Sequence, residues 1–196
     1  MSTPAKLNFK IYQGATFNEV LRWESSVKVY TPITAITKSA PIVITAPGHN
    51  VPPEWRVRFT NLLGMPELNS VETYHQVSNT TADTITINAI NSLGFKDYIS
   101  GGVVEYNQPI DLSDYTARLQ VRSKIDSPDI ILELTTENGG IVINSTTKAV
   151  LIVISATATA ALSFSTAVFS LEMVSSGGQV TPIVGGTISL IKEVTR

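Results

Sequence analysis

The 196-residue chain contains no cysteine, which excludes disulfides, thiolate nucleophiles and cysteine-based zinc sites. It is also poor in charge. Fourteen Lys and Arg against sixteen Asp and Glu leave a formal net charge of −2. The basic residues are scattered, and the local groups Arg56/Arg58 and Arg118/Arg122/Lys124 fall on predicted strands, where solvated faces are expected. No electrostatic footprint for nucleic acid follows, and no nucleic-acid partner is expected. Long apolar runs are missing too: the longest candidate, Ala149 to Ile154, is strand-sized, so no membrane partner is expected. The opening MSTPAKLNFKIYQG has no apolar h-region, which predicts a chain without a secretory signal, folded in a cytosol and soluble.

What is present points to strands. The hydrophobic fraction of 43% with 15% charged residues supplies apolar material for a core and argues against disorder. Thr, Ser, Val and Ile are abundant. β-Branched side chains suit a pleated, half-buried surface and lose rotamer freedom in helices, so the composition is all-β.

The clearest single stretch is Pro109 to Lys124, where Tyr115, Ala117, Leu119 and Val121 alternate with Thr116, Arg118, Gln120 and Arg122 behind a turn-prone Asp111-Leu-Ser-Asp114. Period-two alternation of this length predicts a strand with one buried face. Before it, Leu7, Phe9 and Ile11 mark a first strand. After the Gln13-Gly14 turn, Phe17, Glu19, Leu21 and Trp23 share a face of a second, and the spacing predicts an antiparallel hairpin. Such a hairpin needs further partners.

From about Thr31 the texture changes to short β-prone pieces separated by Pro-, Gly- and Asn-rich loops. The pieces are Ile33–Thr37, Ile42–Thr45, Trp55–Thr60, Tyr74–Ser78, Thr84–Ile90 and Val103–Tyr106. That rhythm suggests a small barrel or sandwich. Beyond Lys124 the predicted strands are more regular. They centre on Ile130–Leu134, Ile141–Ile143, Val150–Ile154, Val168–Val174 with Phe169, Leu171 and Met173 inward, Val180–Val184, and a last strand with Ile188 and Leu190. Ser155 is placed to cap a helical turn over Ala156–Leu162. The flanks together hold about eight strands over roughly 118 residues, the scale of an immunoglobulin-like sandwich. The expected architecture is therefore an all-β immunoglobulin-like β-sandwich, residues 1–30 plus 109–196, interrupted by an inserted small β-barrel, residues 31–108. One continuous β-rich domain is the alternative.

The residue types that carry chemistry occur without the spacing that chemistry needs. His49 in a Pro-Gly turn and His75 beside Tyr74 lack a carboxylate cluster at metal-ligand spacing. A loop hydrogen bond is expected for the first and a half-buried ring for the second. Gly139-Gly140, Gly177-Gly178 and Gly185-Gly186 lie between strands without a following helix, so they read as turn glycines and not as phosphate cradles. Asp111, Asp114, Asp126 and Asp129 lack calcium-loop spacing; Asp111 and Asp114 are expected to fix turns. Asn79-Thr-Thr81 and Asn144-Ser-Thr146 match sequons but read as turns. Trp23, Trp55, Tyr98 and Tyr106 are the aromatics able to stack on sugar rings, with core packing the competing reading for both tryptophans. No catalytic residue, cofactor or metal is expected. For partner contact the candidates are Leu62, Leu63, Met65 and Leu68, in a Gly/Pro-containing loop either folded back or offered outward, and Ile188, Leu190 and Arg196 on a final strand, Thr187–Val194, expected at a sheet edge.

Two family resemblances attach to these strings. The flanks resemble the N-terminal β-sandwich of tailed-phage baseplate upper proteins, through Tyr12-Gln-Gly-Ala-Thr-Phe17, Ile110 to Arg122, Glu137 to Ile143, the Ser155–Leu162 turn, Phe169 to Val174, Gly177 to Thr181 and Glu193 to Arg196. The middle segment resembles the small barrel of the first catalytic-cysteine half-domain of ubiquitin-activating enzymes, through Ala46 to His49, Gly64 to Asn69, Thr81 to Ile85 and Phe95 to Gly102. Only the fold is implied there, since the chain has no cysteine, and Val51-Pro-Pro-Glu54 replaces that family's Gly-Asp approach to its third strand.

The resemblances imply a non-enzymatic bacteriophage virion component, assembled in the host cytoplasm. Within the particle they favour a tail, neck or baseplate adaptor that docks fibres or neighbouring subunits. Its partners would be other virion proteins in multiple symmetric copies. The alternatives are a capsid decoration protein and a carbohydrate- or receptor-binding module, the latter with a host-surface glycan as partner.

Overall fold

The computed structural model describes residues 3–194. The chain opens with strands β1 (Ala5–Tyr12) and β2 (Phe17–Arg22). Eight more follow: β3 (Glu24–Pro32), β4 (Ala35–Thr37), β5 (Ile42–Thr45), β6 (Arg56–Gly64), β7 (His75–Gln76), β8 (Asn79–Thr80), β9 (Thr84–Ile87) and β10 (Tyr98–Pro109). Then come β11 (Tyr115–Arg122), β12 (Leu132–Thr135), β13 (Ile141–Asn144), β14 (Ala149–Ile154), the helical turn α1 (Ala156–Ala160), β15 (Thr166–Ser175) and β16 (Val180–Ile191). The fold is all-β and sandwich-like.

The strands divide into two compact units. The first runs to Trp23 and resumes at Asp111; the second is Glu24–Ile110. The sequence placed these divisions at 30/31 and 108/109. The difference is β3, which carries no core-facing alternation strong enough to declare its partner and pairs antiparallel with β10, from Val103↔Pro32 to Pro109↔Glu24.

In the first unit a five-stranded sheet, in the order β1-β16-β15-β11-β12, accompanies a three-stranded sheet, β13-β14-β2. β11 pairs with β15 in register from Tyr115↔Ser175 to Arg122↔Val168, which turns Ala117, Leu119 and Val121 to the same side as Phe169, Leu171 and Met173. All six are buried. Phe9 connects the layers, with its ring 4.6 Å from that of Phe169 and 5.4 Å from that of Phe17 on β2. Ser155 caps α1 as its position suggests, its Oγ accepting from the Ala158 N–H at 3.2 Å.

Three expectations for this unit are corrected. β1 and β2 do not form a hairpin: β1 runs parallel to β16, from Ala5↔Val184 to Tyr12↔Ile191, and β2 pairs antiparallel with β14. The short Gln13-Gly14 connection therefore crosses between sheets, a geometry that spacing alone does not separate from a hairpin. β16 is not an edge, because β1 covers one side and β15 the other. Gly185 and Gly186 are not turn residues; they lie inside β16. At Gly186 β1 approaches so closely that a Cβ there would run into the Leu7 carbonyl.

The second unit holds two four-stranded sheets, β3-β10-β6-β7 and β4-β5-β9-β8, and not one continuous hydrogen-bonded ring among the described residues. Ile42, Ile44, Trp55, Val57, Phe59, Met65, Leu68, Ile85, Ile87 and Val104 fill its common core. The Pro66–Leu68 turn folds onto that core. Asn69 holds it there, accepting from the Leu62 N–H at 3.1 Å and donating to the Leu62 carbonyl at 3.0 Å.

Candidate functional site

The inward alternation of β11 and β15 has an outward counterpart, and that counterpart builds a surface depression of the first unit. Cross-strand register places Lys6, Gly185, Ser170, Gln120 and Glu133 in one row across all five strands. The neighbouring row is Asn8, Thr187, Val168 and Arg122. At the centre of the first row Gly185 contributes no side chain and Ser170 a small one. The floor drops, leaving a groove of about 660 Å³ bounded by the N-terminal residues Thr3 and Pro4 and by Ile125.

Hydrogen bonds fix most of the groove's polar side chains. The Asn8 Oδ1 accepts from the Thr187 hydroxyl at 2.8 Å and from its N–H at 3.2 Å. Gln120 donates to Glu133 at 2.7 Å and accepts from Arg122 at 2.8 Å. Arg122 also donates to the carbonyls of Ser127 and Pro128, at 2.6 and 2.8 Å, so it ties the loop after β11 to the sheet. Beside the groove Arg118 pairs with Glu172 directly opposite it, at 2.7 Å. Lys6 and Arg122 are the charged side chains lining the groove, and its described lining holds no carboxylate.

The second unit carries a different feature on the outward face of its β3-β10-β6-β7 sheet. Glu105, in the middle of β10, points away from the core yet is only 3% exposed. Arg58 lies directly opposite on β6 and Lys28 diagonally on β3, each with a nitrogen 2.5 Å from the same Glu105 oxygen. The hydrogen bond from Arg58 does most to hold the Glu105 carboxyl below its ordinary range; burial opposes it, and the hydrogen bond from Lys28 adds to it. The guanidinium groups of Arg56 and Arg58 both lie over the Tyr74 ring, 5.0 and 5.3 Å from its centroid, and Arg56 grips Glu24 through two bonds of 2.7 and 2.6 Å. Three cations here meet two carboxylates, so most of the array's charge is spent internally, while the buried Arg58 Nε has no hydrogen-bond partner among the described residues.

The histidines take structural places. His49 is 1% exposed. Its Nδ1 accepts from the Val51 N–H at 2.9 Å, which leaves Nε2 to donate to the Thr84 carbonyl at 3.2 Å and defines a neutral ring. Burial pushes its pKa down. His75 is half-buried, stacks on Phe59 with centroids 5.9 Å apart, and is likewise shifted down by burial. Asp111 closes its own turn by accepting from the Ser113 hydroxyl at 2.8 Å, with Lys148 at 3.3 Å. Trp55 is fully buried, with Nε1 donating to the Asn107 carbonyl at 3.0 Å, and Trp23 meets Tyr115 edge to face.

The residues singled out for partner contact do not come together. Leu62, Met65 and Leu68 are core residues of the second unit, and of the four candidates in that stretch Leu63 alone is presented outward, at 60% exposure. Ile188 and Leu190 are core residues of the first unit, buried because β16 is an interior strand. For these five the expected contact role is corrected to packing. Arg196 lies outside the described residues. The groove went unforeseen because its signal, polar residues at the outward positions of β11 and β15, is the ordinary appearance of a solvated strand face. Only the register that sets Gly185 beside Ser170 turns that face into a depression.

No family model matches the chain, and no curated protein matches it either.

Proposed function

We propose that the chain is a structural component of a tailed-phage virion, an adaptor of the tail, neck or baseplate that joins neighbouring particle proteins through protein–protein contacts. The observation that carries this reading is the interruption itself. A sandwich whose strings resemble the baseplate upper protein module stops at Trp23, gives way to a second all-β unit with its own core, and resumes at Asp111. Two separately cored units give one chain two independent surfaces. Contacts that are individually weak gain strength when many copies are held at high local concentration.

The Trp residues do not favour the glycan-binding alternative, since one is wholly buried and the other is engaged by Tyr115. Electron cryo-microscopy of washed virions from a phage that encodes the chain tests the proposal. Density for both units in fixed, symmetry-related copies at the tail, neck or baseplate is the expected result. Absence of the chain from such particles overturns it.

A further inference from the structure

Resting on that adaptor reading, we propose that the groove on the outer face of the five-stranded sheet receives a short acidic peptide segment of a neighbouring protein.

Charge selects the occupant. The lining carries Lys6 at the β1 end and Arg122 at the β11 end and, among its described residues, no carboxylate, although the chain as a whole is net negative. Along the strands that form this face, the outward positions hold four cations, Lys6, Lys10, Arg118 and Arg122, against two carboxylates, Glu133 and Glu172. Both carboxylates are engaged, with Gln120 and Arg118 respectively. An anionic guest therefore meets a field of the opposite sign in a site that does not repel it.

Dimensions and donors select a peptide. The groove crosses from β1 to β11, three interstrand spacings of about 4.8 Å, a span of about 14 Å that takes roughly four extended residues. Gly185, in the outward row with Lys6 and Ser170, leaves the centre of the floor without a side chain, so a guest backbone can lie close to it. Thr187 occupies the Asn8 Oδ1, which leaves the Asn8 amide N–H groups to donate, and the exposed Ser170 hydroxyl has no partner among the described residues. Pro4, Val168 and the 83%-exposed Ile125 add apolar contact at the walls. Among the described lining residues the single aromatic, Phe169, has its ring in the core, so these residues offer no stacking platform for a sugar.

The test uses the full chain and two labelled octapeptides, one alternating Glu with Ala and the other Lys with Ala, followed by fluorescence anisotropy and by amide shifts in NMR spectra. The Glu peptide is expected to bind in low salt, to shift the resonances of Asn8, Ser170, Gly185 and Gly186, and to bind at least tenfold more weakly when surface charge is screened by high salt. The Lys peptide is expected to leave the spectrum unchanged. Lys6→Glu and Ser170→Glu, both at exposed positions, are each expected to weaken the Glu peptide at least tenfold while circular dichroism stays the same. Equal binding of the two peptides overturns the proposal, as do shifts confined to other surfaces or binding of an acidic oligosaccharide at these residues in place of the peptide. Because these titrations use the purified chain, a negative result removes the groove and leaves the particle assignment standing. Absence from virions would remove the assignment and leave the titration intact.

Discussion

Trp23 and Tyr115 meet edge to face, with ring centroids 5.4 Å apart and planes at 79°. Trp23 is the last residue before the chain departs into the second unit, and Tyr115 opens the first strand after its return. The pair closes the first unit at the point where its sequence is broken. An edge-to-face aromatic pair adds about 1 kcal/mol beyond the area it buries. A double-mutant cycle with Trp23→Ala and Tyr115→Ala, read by urea unfolding, should return a coupling of about that size. Strict additivity would mean that the two rings stabilise separate neighbourhoods.

A second prediction concerns the parallel pairing of β1 with β16. A methyl group at position 186 would fall on the Leu7 carbonyl, a backbone atom that cannot rotate aside. Gly186→Ala should therefore destabilise the first unit by about 2–3 kcal/mol and raise amide exchange across Ala5–Tyr12. Gly185→Ala is the control. Its methyl would stand 3.4 Å from the Phe169 carbonyl, and that variant should cost well under half as much.

Glu105 yields a third. Glu105→Ala leaves Arg58 and Lys28 facing each other across β10 without the carboxylate between them. The second unit should lose about 2 kcal/mol, read as an earlier urea midpoint with an unchanged slope. Because the folded-state pKa of Glu105 is depressed, its contribution is fully present above the ordinary carboxylate value and is lost as pH falls through the folded value. The acid limb of the stability profile should accordingly flatten in Glu105→Ala.

His49 controls a different pH range. Its folded pKa is lowered, so the unfolded chain takes up a proton first. Stability should therefore be complete above about pH 6.5 and decline as pH falls below it, because an imidazolium cannot accept the Val51 N–H. His75 is shifted in the same direction and contributes to the same limb. Asp83, whose field acts against the shift at His49, should steepen the decline when changed to Asn. A His49→Asn, His75→Gln double variant should show a flat profile between pH 7 and 5 by thermal unfolding, whatever its absolute stability.

Much of the fold was legible because its strands alternate. β11 and β15 announced their buried faces, Ser155 its cap, and Ile42–Thr45 its strand residue for residue. Sheet membership was not legible. β1 carries the same alternation whether it pairs with β2 or with β16, and the choice is made by distant packing, Phe9 on Phe169 and Leu7 beside Gly186. The same omission misplaced Ile188 and Leu190: an interior strand and an edge strand share a pattern until the partner on each side is known. Glu105 was invisible for a related reason, since its burial comes from Arg58 and Lys28 on strands far away in sequence. The groove depends on Gly185 standing beside Ser170, again a matter of register.

The interrupted sandwich is tested most directly by removing Glu24–Ile110 and joining Trp23 to Asp111 through a short Gly/Ser linker, then measuring urea unfolding. The account predicts one cooperative transition together with protected amides along Ala5–Tyr12 and Tyr115–Arg122, since β1, β2 and β11–β16 already supply both sheets of that unit. A chain that loses cooperative unfolding altogether would contradict it.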